Sequence, residues 1–110
     1  MVRYGAYAEY IVMPERHLFN LPDSVSIDQG AFVEPASTSL YAVRRAEVGI
    51  GDTVLVHGTG PLGILAARIS KISGASKMII TGRTKFKLDI ALGTVPMLQS
   101  IQMSRMSARL

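Results

Sequence analysis

The chain has no cysteine among its 110 residues, so it can form neither a disulfide framework nor a thiolate zinc site, and thiols give no hint of its redox compartment. Long hydrophobic runs are missing too. No apolar stretch approaches the roughly 20 residues of a membrane-spanning helix, and the N-terminus lacks the basic-then-apolar order of a secretory signal. The chain therefore reads as soluble, with a cytoplasmic location expected and no membrane partner. Acidic residues are scarce in one half. Residues 77–110 carry Lys77, Arg83, Lys85, Lys87, Arg105 and Arg109 against Asp89 alone, whereas residues 1–52 are richer in acids than in bases. A cationic end could attract nucleic acid, but the charges are scattered and Phe86 is the only aromatic residue after Tyr41. Without aromatic interleaving there is no base-stacking surface, so nucleic acid is not expected as a partner and a nucleotide phosphate is.

What is present is a 48% hydrophobic composition, enough for one packed core and too short a chain for a two-domain enzyme. Tyr7 to Met13, rich in Tyr, Ile and Val and closed by Pro14, predicts a short strand of a small β-rich element. Ser26-Ile27-Asp28-Gln29 has the form of a capping box and predicts a helix start. Pro35 then interrupts that helix, and Ala36 to Glu47 forms a second helical piece with Leu40, Val43 and Tyr41 facing inward, ended by Gly49 and Gly51. There is no internal repeat.

The informative stretch begins at Asp52. Val54-Leu55-Val56 is a short apolar run that fits a parallel strand buried on both faces. Gly58-Thr59-Gly60-Pro61-Leu62-Gly63 follows at once and satisfies G-x-G-x-x-G. Gly58 allows the tight turn, Gly60 lets backbone approach a pyrophosphate, and Gly63 lets the helix sit close to the strand. From Leu62 the apolar positions Leu65, Ala66, Ile69 and Ile72 recur at helical spacing, so a helix runs to about Ser73 and stops at Gly74. Its free N–H groups and positive dipole end converge on the turn. Met78-Ile79-Ile80 supplies a second strand and completes a βαβ unit. Such turns also serve as plain structural bends, but the placement between a strand and an amphipathic helix favours dinucleotide binding by Gly58, Gly60, Pro61 and Gly63.

Past the second strand, an NAD-specific unit presents an acidic residue to the adenosine ribose. Here stands Gly82. The next residues, Arg83-Thr84-Lys85-Phe86-Lys87, are cationic and suit the extra 2′-phosphate of NADP, which is favoured over NAD. The competing reading makes Arg83, Lys85 and Lys87 the solvated start of a helix capped by Thr84.

Gly5-Ala6-Tyr7-Ala8-Glu9-Tyr10, Leu21-Pro22-Asp23, Phe32-Val33-Glu34-Pro35, Gly51-Asp52-Thr53-Val54-Leu55-Val56 and the glycine turn resemble, in order and spacing, the medium-chain zinc-dependent alcohol dehydrogenases. The branch they look most like is the sorbitol and other polyol dehydrogenases, and the resemblance covers about residues 4–92. It implies an α/β Rossmann unit at residues 47–92, preceded at 1–46 by the end of a small β-rich, GroES-like catalytic domain with linking helices. Residues 93–110 form a divergent tail with no further strand signal, such as a truncation or frame shift would leave. It also implies an oxidoreductase that moves a hydride between a secondary alcohol or polyol and NAD(P), with zinc polarising the alcohol oxygen.

Carried over by residue, the resemblance makes Leu62 a cofactor contact. Gly82 falls where NAD-using members have aspartate, Lys87 where a basic residue meets the adenosine ribose or its phosphate, and Glu34 where a glutamate lies near the substrate. The family's zinc ligands lie before the Gly5–Tyr10 segment and are absent from these residues. His17, in a polar loop, and His57, at a strand end, do not replace them. Two strands of a sheet that normally has about six would leave Val54, Ile79 and Ile80 without neighbouring strands. A marginal, aggregation-prone fold follows, or dependence on another chain, with homo-oligomerisation left open. Two alternatives to a dehydrogenase segment remain at this point. One is a non-catalytic nucleotide-binding or interaction module. The other is an adenosylmethionine-dependent methyltransferase fragment, against which the lack of an acid at Gly82 counts.

Overall fold

The computed structural model describes residues 5–95 and 98–102, and the chain divides into two compact units, Met1–Gly30 and Ala31–Leu110. In the first unit a single turn of 3-10 helix spans Glu15–His17, closed by the His17 N–H donating to the Pro14 carbonyl at 2.9 Å. Helix α1, Ile27–Gly30, starts as its sequence dictates. The Gln29 N–H donates to Ser26 Oγ at 3.2 Å and the Ser26 N–H to Gln29 Oε1 at 2.9 Å, so two orphan donors are satisfied reciprocally. The strand expected at Tyr7–Met13 does not form. A β-prone run needs a ladder partner, and none pairs with it among the described residues. Tyr7, Tyr10 and Val12 are almost fully exposed.

In the second unit, helix α2 spans Val33–Arg45. Pro35 does not separate two helical pieces; it sits in the first turn of α2, where a missing N–H leaves no bond unmade. The helix therefore begins three residues earlier than expected and ends at Arg45, before Glu47. Its inward residues are Ser39 and Val43, four apart, while Leu40 and Tyr41 lie exposed beside them. The Ser39 hydroxyl donates to the Leu62 carbonyl at 3.1 Å, which places α2 against the next helix.

Strand β1 (Thr53–His57), helix α3 (Pro61–Ile72), strand β2 (Lys77–Gly82), helix α4 (Lys85–Thr94) and strand β3 (Leu98–Gln102) follow in order. The sheet order is β1-β2-β3, parallel throughout, with Val54 beside Met78, Val56 beside Ile80, and Met78 beside Leu98. The third strand corrects the expectation that no strand follows residue 92. It forms because β2 offers an unpaired edge and because Val95 and Leu98 each drop into the core. Its sequence, Leu98-Gln99-Ser100-Ile101-Gln102, is too polar to announce itself. Ile79 and Ile80 thus have strands on both sides; Val54 has one. Residues 103–110 of the tail lie outside the described residues.

Registry decides which side chains are covered. Val54, Val56, Met78, Ile80 and Leu98 share one face of the sheet, and with Ala67 of α3 and Leu88 and Ala91 of α4 they make the core. Small residues at 67 and 91 let both helices lie close to the sheet. Leu55, Ile79 and Ile101 share the opposite face, where Leu55 keeps 63% and Ile101 52% of its surface exposed. β1 is therefore covered on one side only, against the expectation of burial on both. Helix α3 is also turned from its expected orientation. Ala67 and Ser70 are buried, Ile64 packs on the core, and Ile72 is exposed, because a helix touching both a sheet and a second helix puts its smallest residues at the closest approach.

A matched pair of substitutions tests this one-sided cover. Ile80→Val is expected to cost about 1 kcal/mol, whereas Leu55→Thr changes stability by less than about 0.5 kcal/mol and slows aggregation. Urea midpoints and light scattering read the two effects, and equal costs would show that the sheet buries both faces.

Candidate functional site

The connection between β1 and α3 is fixed by two contacts. Gly58 has φ +113°, a left-handed conformation that costs a residue without Cβ little. Its N–H donates to the Thr81 carbonyl at 2.9 Å, tying the turn to the end of β2. Next to it, Thr81 Oγ1 and His57 Nδ1 are 2.7 Å apart. That hydrogen bond accounts for His57, whose partner is a side chain on the neighbouring strand. At the other end of the turn, a Cβ built on Gly63 would lie 2.2 Å from the Gly58 carbonyl oxygen. Helix α3 can seat itself over the strand end only with glycine there.

Between these two contacts the backbone is open. Gly60 is the N-cap of α3, with φ −78° and ψ 172°, and nothing lies within 4 Å of where its Cβ would be. Pro61 takes the first helical position, where no N–H is needed. The N–H groups of Leu62 and Gly63 have no intrahelical acceptor because they begin a helix of 12 residues. No acidic side chain stands in that first turn, so the positive end of the helix faces the opening unopposed. An absent Cβ, free amides and a dipole are what a diphosphate requires of backbone, and the residues fit such a group.

The other sequence-flagged residues divide into those near the turn and those apart from it. Gly82 is buried at the end of β2, and a Cβ there would lie 2.7 Å and 2.8 Å from the two γ atoms of Thr59. Arg83 follows, exposed. Lys87 joins Thr59, Gly60, Pro61 and Ile64 in lining a cavity of about 520 Å³ between the turn, α3 and α4. Leu62 is half exposed, and its carbonyl is the acceptor for Ser39. Glu34 lies exposed in the first turn of α2 and is not part of that cavity wall. Lys85 forms an ion pair with Asp89 at 2.9 Å on the solvent side of α4, which makes it a surface residue of little energetic weight. Thr84 is the N-cap of α4, but its hydroxyl makes no capping bond.

Sequence reading missed Thr59, Phe86 and Arg68 in the cavity wall. Thr59 stood between two motif glycines, which was the available signal. Arg68 is not among the apolar positions read for that helix, and its guanidinium donates to the Thr94 carbonyl across the groove. Among the described residues no three His, Cys, Asp or Glu side chains come together to hold a metal. No helix among them is long and apolar enough to cross a membrane.

No family profile matches the sequence. Individual proteins do. D-xylulose reductase A of Aspergillus niger is 39% identical over 87 residues, covering 79% of this chain and 24% of that protein. Galactitol-1-phosphate dehydrogenase of Escherichia coli superposes with a TM-score of 0.78 at 31% identity, over 87% of this chain and 28% of the other. A Sinorhizobium meliloti protein described as a zinc-binding dehydrogenase, bound to NADP, superposes at 0.71 with 26% identity, over 76% of this chain and 24% of its own. A Rossmann-type α/β segment with a glycine turn is thus what the fold defines. The chain is a medium-chain zinc-dependent alcohol dehydrogenase-like segment of the polyol dehydrogenase kind, spanning about a quarter of the length of the relatives it matches. Those relatives are named reductases and dehydrogenases, which leaves the methyltransferase alternative without support.

The two glycines of the helix start should respond oppositely to a methyl group. Gly63→Ala is expected to cost about 3 kcal/mol by forcing α3 off the strand end, while Gly60→Ala stays within about 0.5 kcal/mol of the parent. Chemical denaturation distinguishes them, and a Gly63→Ala chain as stable as the parent would refute the close seating.

Proposed function

We propose that this segment binds the phosphates of a nicotinamide dinucleotide at the Gly58–Gly63 turn, with NADP(H) preferred, as the nucleotide-binding part of an alcohol or polyol oxidoreductase. The observation that carries the reading is the open, Cβ-free backbone at Gly60 beneath the start of α3. In this reading the amides of Leu62 and Gly63 donate to the diphosphate and Pro61 fixes the direction of the helix start. Gly82 presents no carboxylate to the adenosine ribose, and Arg83 and Lys87 supply positive charge for a 2′-phosphate. The likeness to a protein solved with NADP supports a nicotinamide dinucleotide as the ligand.

The wider activity rests on the relatives. A D-xylulose reductase and a galactitol-1-phosphate dehydrogenase act on polyhydroxylated carbon chains, so the reaction proposed for the protein is reversible hydride transfer between a secondary alcohol and the nicotinamide ring. When bound, the cofactor supplies or accepts the hydride. This segment's own residues hold and orient it, and Glu34, at the start of α2, is assigned to the alcohol side of that complete site. Residues 1–46 are read as the end of the catalytic part and its linking helices, and residues 47–92 as the nucleotide-binding part, whose sheet β3 continues to Gln102. The described residues gather no metal-ligand set, so the segment by itself is assigned binding and no chemical step.

Fluorescence titration of the chain with NADPH and NADH tests the reading. NADPH is expected to bind about tenfold more tightly, and Arg83→Ala narrows the gap by about 1 kcal/mol. Gly60→Ala, folded but with a methyl group in the cradle, weakens both ligands. Equal affinities for the two dinucleotides would remove the NADP preference, and binding indifferent to Gly60→Ala would remove the turn as the site.

A further inference from the structure

Thr59, the residue between the first two motif glycines, stands directly over the end of β2. A Cβ added to Gly82 would meet Thr59 Cγ2 at 2.7 Å, Thr59 Oγ1 at 2.8 Å and Leu88 Cδ2 at 3.3 Å. The leucine methyl is the far end of a flexible side chain and can give by a few tenths of an ångström. The threonine cannot. It is stiff at χ1, and its two γ atoms fill two of the three staggered positions on its Cβ. Both filled positions face residue 82. Rotation by one well can vacate only one of them, because the third position has room for only one of the two atoms. Every rotamer therefore leaves a heavy atom against residue 82. Nor can the backbone move aside easily, since the neighbouring Gly58 N–H is bonded to the Thr81 carbonyl and Gly63 pins the helix start.

We propose that Thr59 is a specificity-determining residue of the dinucleotide site: its two γ atoms occupy the room that a side chain at position 82 needs, and so bar an acidic group from the adenosine ribose. The proposal rests on the dinucleotide reading given above and adds to it a second residue, on the turn itself. Lack of an acid at position 82 is then enforced by a contact between the glycine turn and the end of β2, and Gly82→Asp alone cannot turn the site toward NADH. A ligand with an anionic group on its ribose meets the methyl and hydroxyl of Thr59 with no carboxylate behind them, whereas NADH finds no acceptor.

The test is a double-mutant cycle on the full chain, read in two ways. By urea denaturation, Gly82→Ala is expected to lower the midpoint in the parent and in Thr59→Val, which keeps two γ atoms, but hardly at all in Thr59→Ala. By titration, Thr59→Ala/Gly82→Asp is expected to lower the NADPH-to-NADH affinity ratio by about tenfold or more, while Gly82→Asp with Thr59 intact does not gain NADH binding. An equal midpoint loss from Gly82→Ala in all three backgrounds would overturn the proposal. So would a Gly82→Asp chain that folds and prefers NADH with Thr59 in place. Relief by Thr59→Val as full as by Thr59→Ala would also overturn it, by showing that shape is not the barrier. A parent chain that binds neither dinucleotide would instead overturn the functional reading and this role with it, whatever the midpoints show.

Discussion

Everything in the second unit hangs on how closely a helix can approach the end of a strand. The carbonyl of Gly58 lies where a side chain on Gly63 would begin, and only that missing side chain allows α3 to start directly over β1. From that seat follow the burial of Ala67 against the sheet, the contact of the Ser39 hydroxyl with the Leu62 carbonyl, and the cover of Val54, Val56, Met78 and Ile80 by one helical layer. The same approach leaves the amides at the start of α3 pointing into open space above the turn. Packing and ligand geometry are thus two consequences of one contact.

The turn is also not independent of the second strand. Gly58 donates to Thr81, His57 is bonded to Thr81, and Thr59 rests on Gly82. Three consecutive residues of β1 and its turn are therefore held against two consecutive residues of β2. A phosphate site at the turn and a ribose site at the end of β2 then have a fixed spacing, which is how binding energy at one end of a long ligand can be used to position the other. The charge pattern agrees. α3 opens with no acid, Asp89 on α4 is engaged by Lys85, and Lys87 lines the cavity beside the turn.

What the sequence disclosed were signals complete within a few residues. The reciprocal Ser26 and Gln29 bonds, the glycine spacing, the Val54–Val56 run and the stop at Gly74 each depend on neighbours along the chain, and each is found where it was read. Features that need a distant partner were not legible. Tyr7–Met13 has strand composition but no ladder; Leu98–Gln102 has weak strand composition but an edge of β2 to complete. Helical periodicity located α2 and α3 but misjudged their faces, since Leu40 and Ile72 are apolar and exposed while Ser39 and Ser70 are polar and buried. Pro35 was legible as a helix-start residue, yet its position within the first turn was not. The contact of Thr59 with Gly82 joins residues 23 apart in sequence, and no local pattern reports it.

The central claim is that backbone amides at the start of α3 receive a diphosphate. Amide-resolved NMR of the isotopically labelled chain during an NADPH titration tests it most directly. The account predicts saturable shifts concentrated at Gly58, Gly60, Leu62 and Gly63, with a second group at Gly82 to Lys87 and little change at Leu55 or in the first unit. Saturable shifts that spare residues 58–63 and gather elsewhere, or no saturable shift at all, would contradict it.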